Sequence, residues 1–126
     1  MKAFKFRFKT VLKVVTIKER EAQRAFFSAK KRMEETIDLK NQLEKEQEAT
    51  EKFIIKGKNF TSMIAYQEAL IIEINLSNVL IANRNKECEL KKGNFFEKRT
   101  RRKMIEKIKE KDYARFIKNQ LSEYAE

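Results

Sequence analysis

The sequence has no proline, no tryptophan and no histidine, and only two glycines and one cysteine in 126 residues. Each scarcity excludes something. Turns need proline, glycine or a similar residue, and here glycine occurs only at Gly57 and Gly93, so a strand-rich fold or a set of many short helices is excluded. Without histidine the chain lacks the side chain that most readily acts as a base near neutral pH. It also lacks a glycine-rich phosphate loop and a cluster of cysteine and histidine for a metal. Carboxylates such as Glu34 and Glu35 fall at positions expected to be exposed, where nothing perturbs a pKa. The lone Cys88 cannot form an internal disulfide, which suits a reducing cytoplasm, and it is better explained as a small seam residue than as a nucleophile. The expectation is a protein that is not an enzyme and needs no cofactor and no metal.

Strong helix formers dominate what remains. Charged residues make up 39% of the chain and hydrophobic residues 41%, enough to fill a seam between helices but little for a core of several layers. Thirty Lys and Arg face nineteen Asp and Glu, a formal charge of +11 that would draw the chain to nucleic acid, anionic lipid or an acidic protein surface without choosing among them. The basic start, Met1 to Lys9, is not followed by an uninterrupted apolar run, because Lys13 and Lys18 split Val11 to Ile17, so a secretion signal is not expected. The most apolar stretch, Asn59 to Asn83, carries Gln67, Glu68, Glu73, Asn75, Ser77 and Asn78, and is expected to be too polar for a membrane span. A soluble protein of one domain, residues 1–126, is the expectation.

Phe8, Leu12, Val15, Ala22, Phe26, Ala29, Met33, Leu43 and Ile54 fall on alternating steps of three and four, with slips where Glu19, Lys40 and Gln47 occupy the seam. This predicts a first helix over about residues 8–56. A bend follows at about 57–59, where Lys56-Gly57-Lys58-Asn59 combines glycine with a second turn-tolerant residue. Met63, Tyr66, Leu70, Ile74, Ser77, Ile81, Cys88, Phe95, Ile105, Ile108 and Phe116 repeat the spacing and predict a second helix over about 60–122. A helix of roughly 48 residues would run about 70 Å, far beyond what stands without a partner alongside. The fold class expected is therefore all-α, two long helices forming an antiparallel coiled-coil hairpin with both termini at one end. Gly93-Asn94 is read as a weak point within the second helix; the alternative is a true break and a three-helix bundle.

Three regions are candidates for function. Between Asn59 and Asn83 the only charges are Glu68 and Glu73, and beside the seam a second apolar stripe runs through Ala65, Ala69, Ile72, Leu76 and Val79, displaced by about 200° around the helix. Either a partner protein docks there, or a third helix or dimer partner covers it as ordinary core. Lys98-Arg99-Thr100-Arg101-Arg102-Lys103, continuing with Lys107, Lys109, Lys111 and Arg115, has the density of a phosphate-gripping run. Glu97, Glu106, Glu110 and Asp112 intervene at spacings suited to ion pairs, which favours a solvated charged face, and no specific nucleic-acid partner is expected. Lys2-Ala3-Phe4-Lys5-Phe6-Arg7-Phe8 alternates Phe with basic residues. It is either an extended arm that meets an acidic groove or a membrane surface, or the start of the seam through Phe4 and Phe8 with Phe6 incidental.

In order along the chain, Phe4-Lys5-Phe6-Arg7-Phe8-Lys9-Thr10-Val11-Leu12, Glu19-Arg20-Glu21-Ala22-Gln23, Tyr66-Gln67 before Leu70 and Ile74, and Ile105-Glu106-Lys107-Ile108-Lys109-Glu110-Lys111-Asp112-Tyr113 resemble the motifs of the FliJ family of flagellar export proteins. The likeness spans nearly the whole chain, although each motif is degenerate. The run of Asn and Ile and the small Ala69 depart from the common pattern. The resemblance implies a stalk-like hairpin at the cytoplasmic face of the cell membrane at the flagellar base, peripheral to it through the export gate. Its implied partners are the export ATPase FliI, the gate protein FlhA and export chaperones, in a type III export apparatus. The implied gate contact is Ala69, Ile72, Glu73, Leu76 and Leu80, and the implied contact with the ATPase ring is Phe4, Phe8, Leu12, Tyr113 and Phe116.

Overall fold

The computed structural model describes residues 2–55 and 60–125, and in it the chain is all-α, two long helices forming an antiparallel hairpin. Helix α1 is Lys9–Ile55 and α2 is Phe60–Ala125. The bend expected at Lys56 to Asn59 lies outside the described residues. Neither helix has an acidic residue in its first turn to meet the macrodipole. Propensity and mutual packing of the two helices carry them instead. α2 runs through Gly93 without a break, so the weak point is tolerated and the three-helix alternative is excluded.

The seam of α1 is more regular than its apolar residues indicate. Phe8, Val15, Ala22, Ala29, Thr36, Leu43 and Thr50 recur every seventh residue, and Leu12, Glu19, Phe26, Met33, Lys40, Gln47 and Ile54 form a second such series; every one is buried or half-buried. Glu19, Lys40 and Gln47 are thus in register, polar members of an unbroken heptad pattern. Thr36 and Thr50 are buried members with no apolar signature. Each donates its hydroxyl to the carbonyl four residues back, Thr36 to Arg32 and Thr50 to Glu46, both at 2.8 Å. The hydroxyl is satisfied within the helix, so its methyl group can pack like that of valine.

The chain divides into two compact units. The central unit, Phe27–Leu90, is built on Leu70, Ile74, Ser77 and Cys88 of α2 against Ala29, Thr36 and Thr50 of α1, all buried. Here one expectation needs correction. Tyr66 was expected in the seam, but its ring is exposed and Gln67 is half-buried in that place. The heptad through Met63, Gln67, Leu70 and Ile74 leaves Tyr66 one residue, about 100°, off the seam.

The terminal unit, Met1–Phe26 with Lys91–Glu126, is built on aromatic rings. Phe26 stacks on buried Phe95 with ring centroids 6.0 Å apart, and Phe4 meets Tyr113 edge-on at 5.2 Å and Phe116 at 5.5 Å. Residues 2–6 are not helical, as the strand-like alternation predicts, and α1 begins where Lys9 N–H reaches the carbonyl of Phe6 at 3.2 Å. Phe6 is the most buried of the three arm rings, so it is a packing residue and not incidental.

Candidate interaction surfaces

In the central unit the second apolar stripe is uncovered. Ile72, Leu76 and Val79 are 60%, 65% and 61% exposed, and Ala65 and Ala69 are exposed with them, while Leu70 and Ile74 on the opposite side of α2 are buried against α1. The third-helix alternative is excluded among the described residues, since α1 and α2 are the only elements. Of the residues named for a gate contact, Ala69, Ile72, Glu73, Leu76 and Leu80 are all exposed, and at 100° per residue they share one side of α2. Leu90 lies on the same side and is more exposed than Ile72, Leu76 or Leu80. Its only signal in the sequence is its spacing from Leu76 and Val79, broken in between by Asn83 and Lys86.

The membrane expectation also needs correction. Among the described residues α2 contains a stretch long and apolar enough, by length and composition, to cross a membrane, and only 17% of that stretch is buried. The six polar residues do not outweigh the run of Ile and Leu around them. Glu68 and Glu73 nevertheless remain exposed carboxylates within it, each opposed to insertion in hydrocarbon. Tyr66, at one end of this region, donates its hydroxyl to Glu46 Oε2 at 2.8 Å, and Gln67 donates to Glu51 Oε1 at 3.1 Å. The bond to the Glu46 carboxylate favours the neutral phenol and raises the pKa of Tyr66 above its ordinary 10.0.

Charge is divided sharply between the units. The terminal unit carries 20 Lys and Arg against 8 Asp and Glu, and the central unit 10 against 11, so the whole net charge of the chain belongs to the terminal unit. The residues named for a ring contact lie in that unit. Phe4, Phe8, Leu12 and Phe116 are half-buried and Tyr113 is exposed, and the rings of Phe4, Tyr113 and Phe116 spend part of their surface on one another. Arg7 sits over the Phe8 ring, 4.7 Å from its centroid, and pairs with Asp112 at 3.2 Å.

Most of the basic run on α2 is solvated, with the same-helix pairs that its spacing suggests: Arg101 with Glu97, and Arg102 with Glu106, each at 2.7 Å. Arg102 differs from its neighbours in also reaching across to Glu19 in the α1 seam. Hydrogen bonds to Glu19 and then Glu106 raise its pKa above the ordinary arginine value, so it is charged at any working pH. A half-buried charge pair thus takes a place where the heptads would admit an apolar layer. Cys88 is a buried seam residue, and no group of His, Cys, Asp or Glu suited to a metal occurs among the described residues.

Comparison with known proteins finds no family model, no curated protein and no solved structure that matches this chain. The functional reading therefore stands on the two surfaces themselves and on the order of the sequence motifs.

Proposed function

We propose that the chain is a non-enzymatic adaptor of the FliJ type, a stalk that links the export ATPase FliI to the gate protein FlhA and serves export chaperones in a type III system. The observation that carries this reading is the pairing of two chemically unlike surfaces on one small protein. The central unit offers an uncovered apolar face through Ile72 and Leu76 with almost no net charge, and the terminal unit offers a dense positive charge around a cluster of aromatic rings. An adaptor needs two such sites, distinguishable by the forces that each uses. Apolar docking at Ala69, Ile72, Glu73, Leu76 and Leu80 is insensitive to salt, whereas a basic end around Phe4, Phe8, Leu12, Tyr113 and Phe116 suits an acidic pore and weakens as salt screens it.

Pull-down with the cognate ATPase and gate tests the proposal. Ile72→Ser with Leu76→Ser is expected to abolish gate binding and leave ATPase binding intact, and Phe4→Ala with Tyr113→Ala to do the reverse. Absence of binding to both wild-type partners would refute it. The same uncovered face favours a second reading, a coiled coil that pairs with itself through Ile72, Leu76 and Val79. Sedimentation decides that one: a monomer at micromolar concentration eliminates it, and a dimer lost in the Ile72→Ser, Leu76→Ser variant supports it.

A further inference from the structure

Towards the end of α2 another exposed apolar band appears, starting at Tyr113 of the ring contact and running beyond it through Ile117, Leu121 and Tyr124. Tyr113, Ile117, Leu121 and Tyr124 are all exposed, Leu121 and Tyr124 by 65% and 69%. At 100° per residue the four fall within about 80° of the helix circumference. Lys107, Lys111, Arg115 and Lys118, also exposed, occupy the adjoining sector of about 80°. Lys2 of the arm closes the other side, lining a shallow apolar groove with Phe116, Ile117, Leu121 and Tyr124. Of the nearby carboxylates among the described residues, Asp112 is held by Arg7 and Glu106 by Arg102, which leaves Glu110, one turn before Tyr113 in the sector of the band, and Glu123 against the cations.

We propose that this end of the terminal unit docks on an anionic lipid surface, with Tyr113, Ile117, Leu121 and Tyr124 entering the headgroup boundary and the adjoining Lys and Arg meeting lipid phosphates. The proposal goes beyond the adaptor reading and does not depend on it. An apolar band edged by cations is the arrangement of a helix that lies in a membrane interface, where tyrosine is held at headgroup level. Double-stranded nucleic acid would use the cations and leave Ile117 and Leu121 without a role. The central stripe cannot serve the same end, because its only charges are the carboxylates of Glu68 and Glu73, which anionic lipid repels. The excess of 20 Lys and Arg over 8 Asp and Glu in the terminal unit supplies the long-range attraction.

The test is flotation of the full chain with vesicles of phosphatidylglycerol and phosphatidylcholine, compared with phosphatidylcholine alone. Binding is expected only with the anionic lipid. Arg115→Gln with Lys118→Gln is expected to weaken it roughly 25-fold, at the usual contribution of a cation near such a surface. Leu121→Ser with Tyr124→Ser is expected to weaken it by about tenfold or more, and because both residues are exposed the helical content and melting temperature should hold. Equal binding to both vesicles, or none to either, overturns the proposal. So does a loss confined to the charge variant, or full displacement by stoichiometric duplex DNA, since either marks a general grip on polyanions.

Discussion

Gly93→Ala offers a direct test of how α2 is held. Gly93 is exposed within a continuous helix of 66 residues, and a methyl group built on it meets nothing within 4 Å. The substitution therefore removes the entropic penalty of glycine without adding a clash, and should stabilise the protein by about 1 kcal/mol. If the chain of 126 residues melts as one cooperative unit, its unfolding entropy is about 0.26 kcal/mol/K, and the midpoint should rise by about 4 °C. If the terminal unit, about half of the chain, unfolds by itself, the same free energy should move its transition by about 8 °C and leave the other in place. Thermal unfolding followed by circular dichroism at 222 nm, with urea titration of both proteins as a check, separates these outcomes. An unchanged or lower stability would refute the reasoning, because it would mean that Gly93 is retained for a conformation other than the helix or for a close contact.

Leu70→Ala, at a side chain 3% exposed, should cost about 2–4 kcal/mol in urea unfolding, whereas Leu76→Ala on the opposite face should stay within about 0.5 kcal/mol; equal costs would place both leucines in a core. Glu19→Leu should destabilise by about 1–2 kcal/mol, between exposed and buried pairs, because it leaves half-buried Arg102 with Glu106 alone. Glu19→Leu with Arg102→Leu should restore stability to the wild-type level or above, and a double variant as weak as the single one would show that the pair is not the cause. Tyrosinate absorbance during alkaline titration should contain a component above pH 10 that disappears in Tyr66→Phe and moves down in Glu46→Gln. Since the folded-state pKa is raised above the ordinary 10.0, the bond's contribution to stability is whole below that pH and is lost as pH rises through the folded value. A Tyr66 midpoint at or below 10 would remove the Glu46 bond from the description.

The helices, the seam and the uncovered stripe were legible in the sequence for a common reason. Period and the absence of breakers are local properties, and a helix turns them directly into faces: Leu70 and Ile74 must point away from Ile72 and Leu76 whatever lies opposite. The resemblance to export stalks came from local motifs as well, and it awaits the binding experiments. What failed were the inferences about polar residues. The spacing of apolar residues puts Tyr66 in the seam, yet the heptad puts Gln67 inside and frees Tyr66 to reach Glu46. Thr36 and Thr50 were passed over although each can satisfy its hydroxyl within its own turn.

By itself, then, the sequence determined two long helices, their apolar faces, the excess of positive charge and the absence of histidine. Only the tertiary structure decided that Arg102 leaves the solvated basic run for Glu19, and that Phe6 is the arm ring buried most deeply. It also decided that the net charge gathers in one unit while the other remains almost neutral. The physical reason is that burial of a polar or aromatic group depends on what stands across from it, often eighty or more positions away in the chain, as Arg102 stands from Glu19. Periodicity along one helix carries no information about that opposite residue until the two helices are laid together.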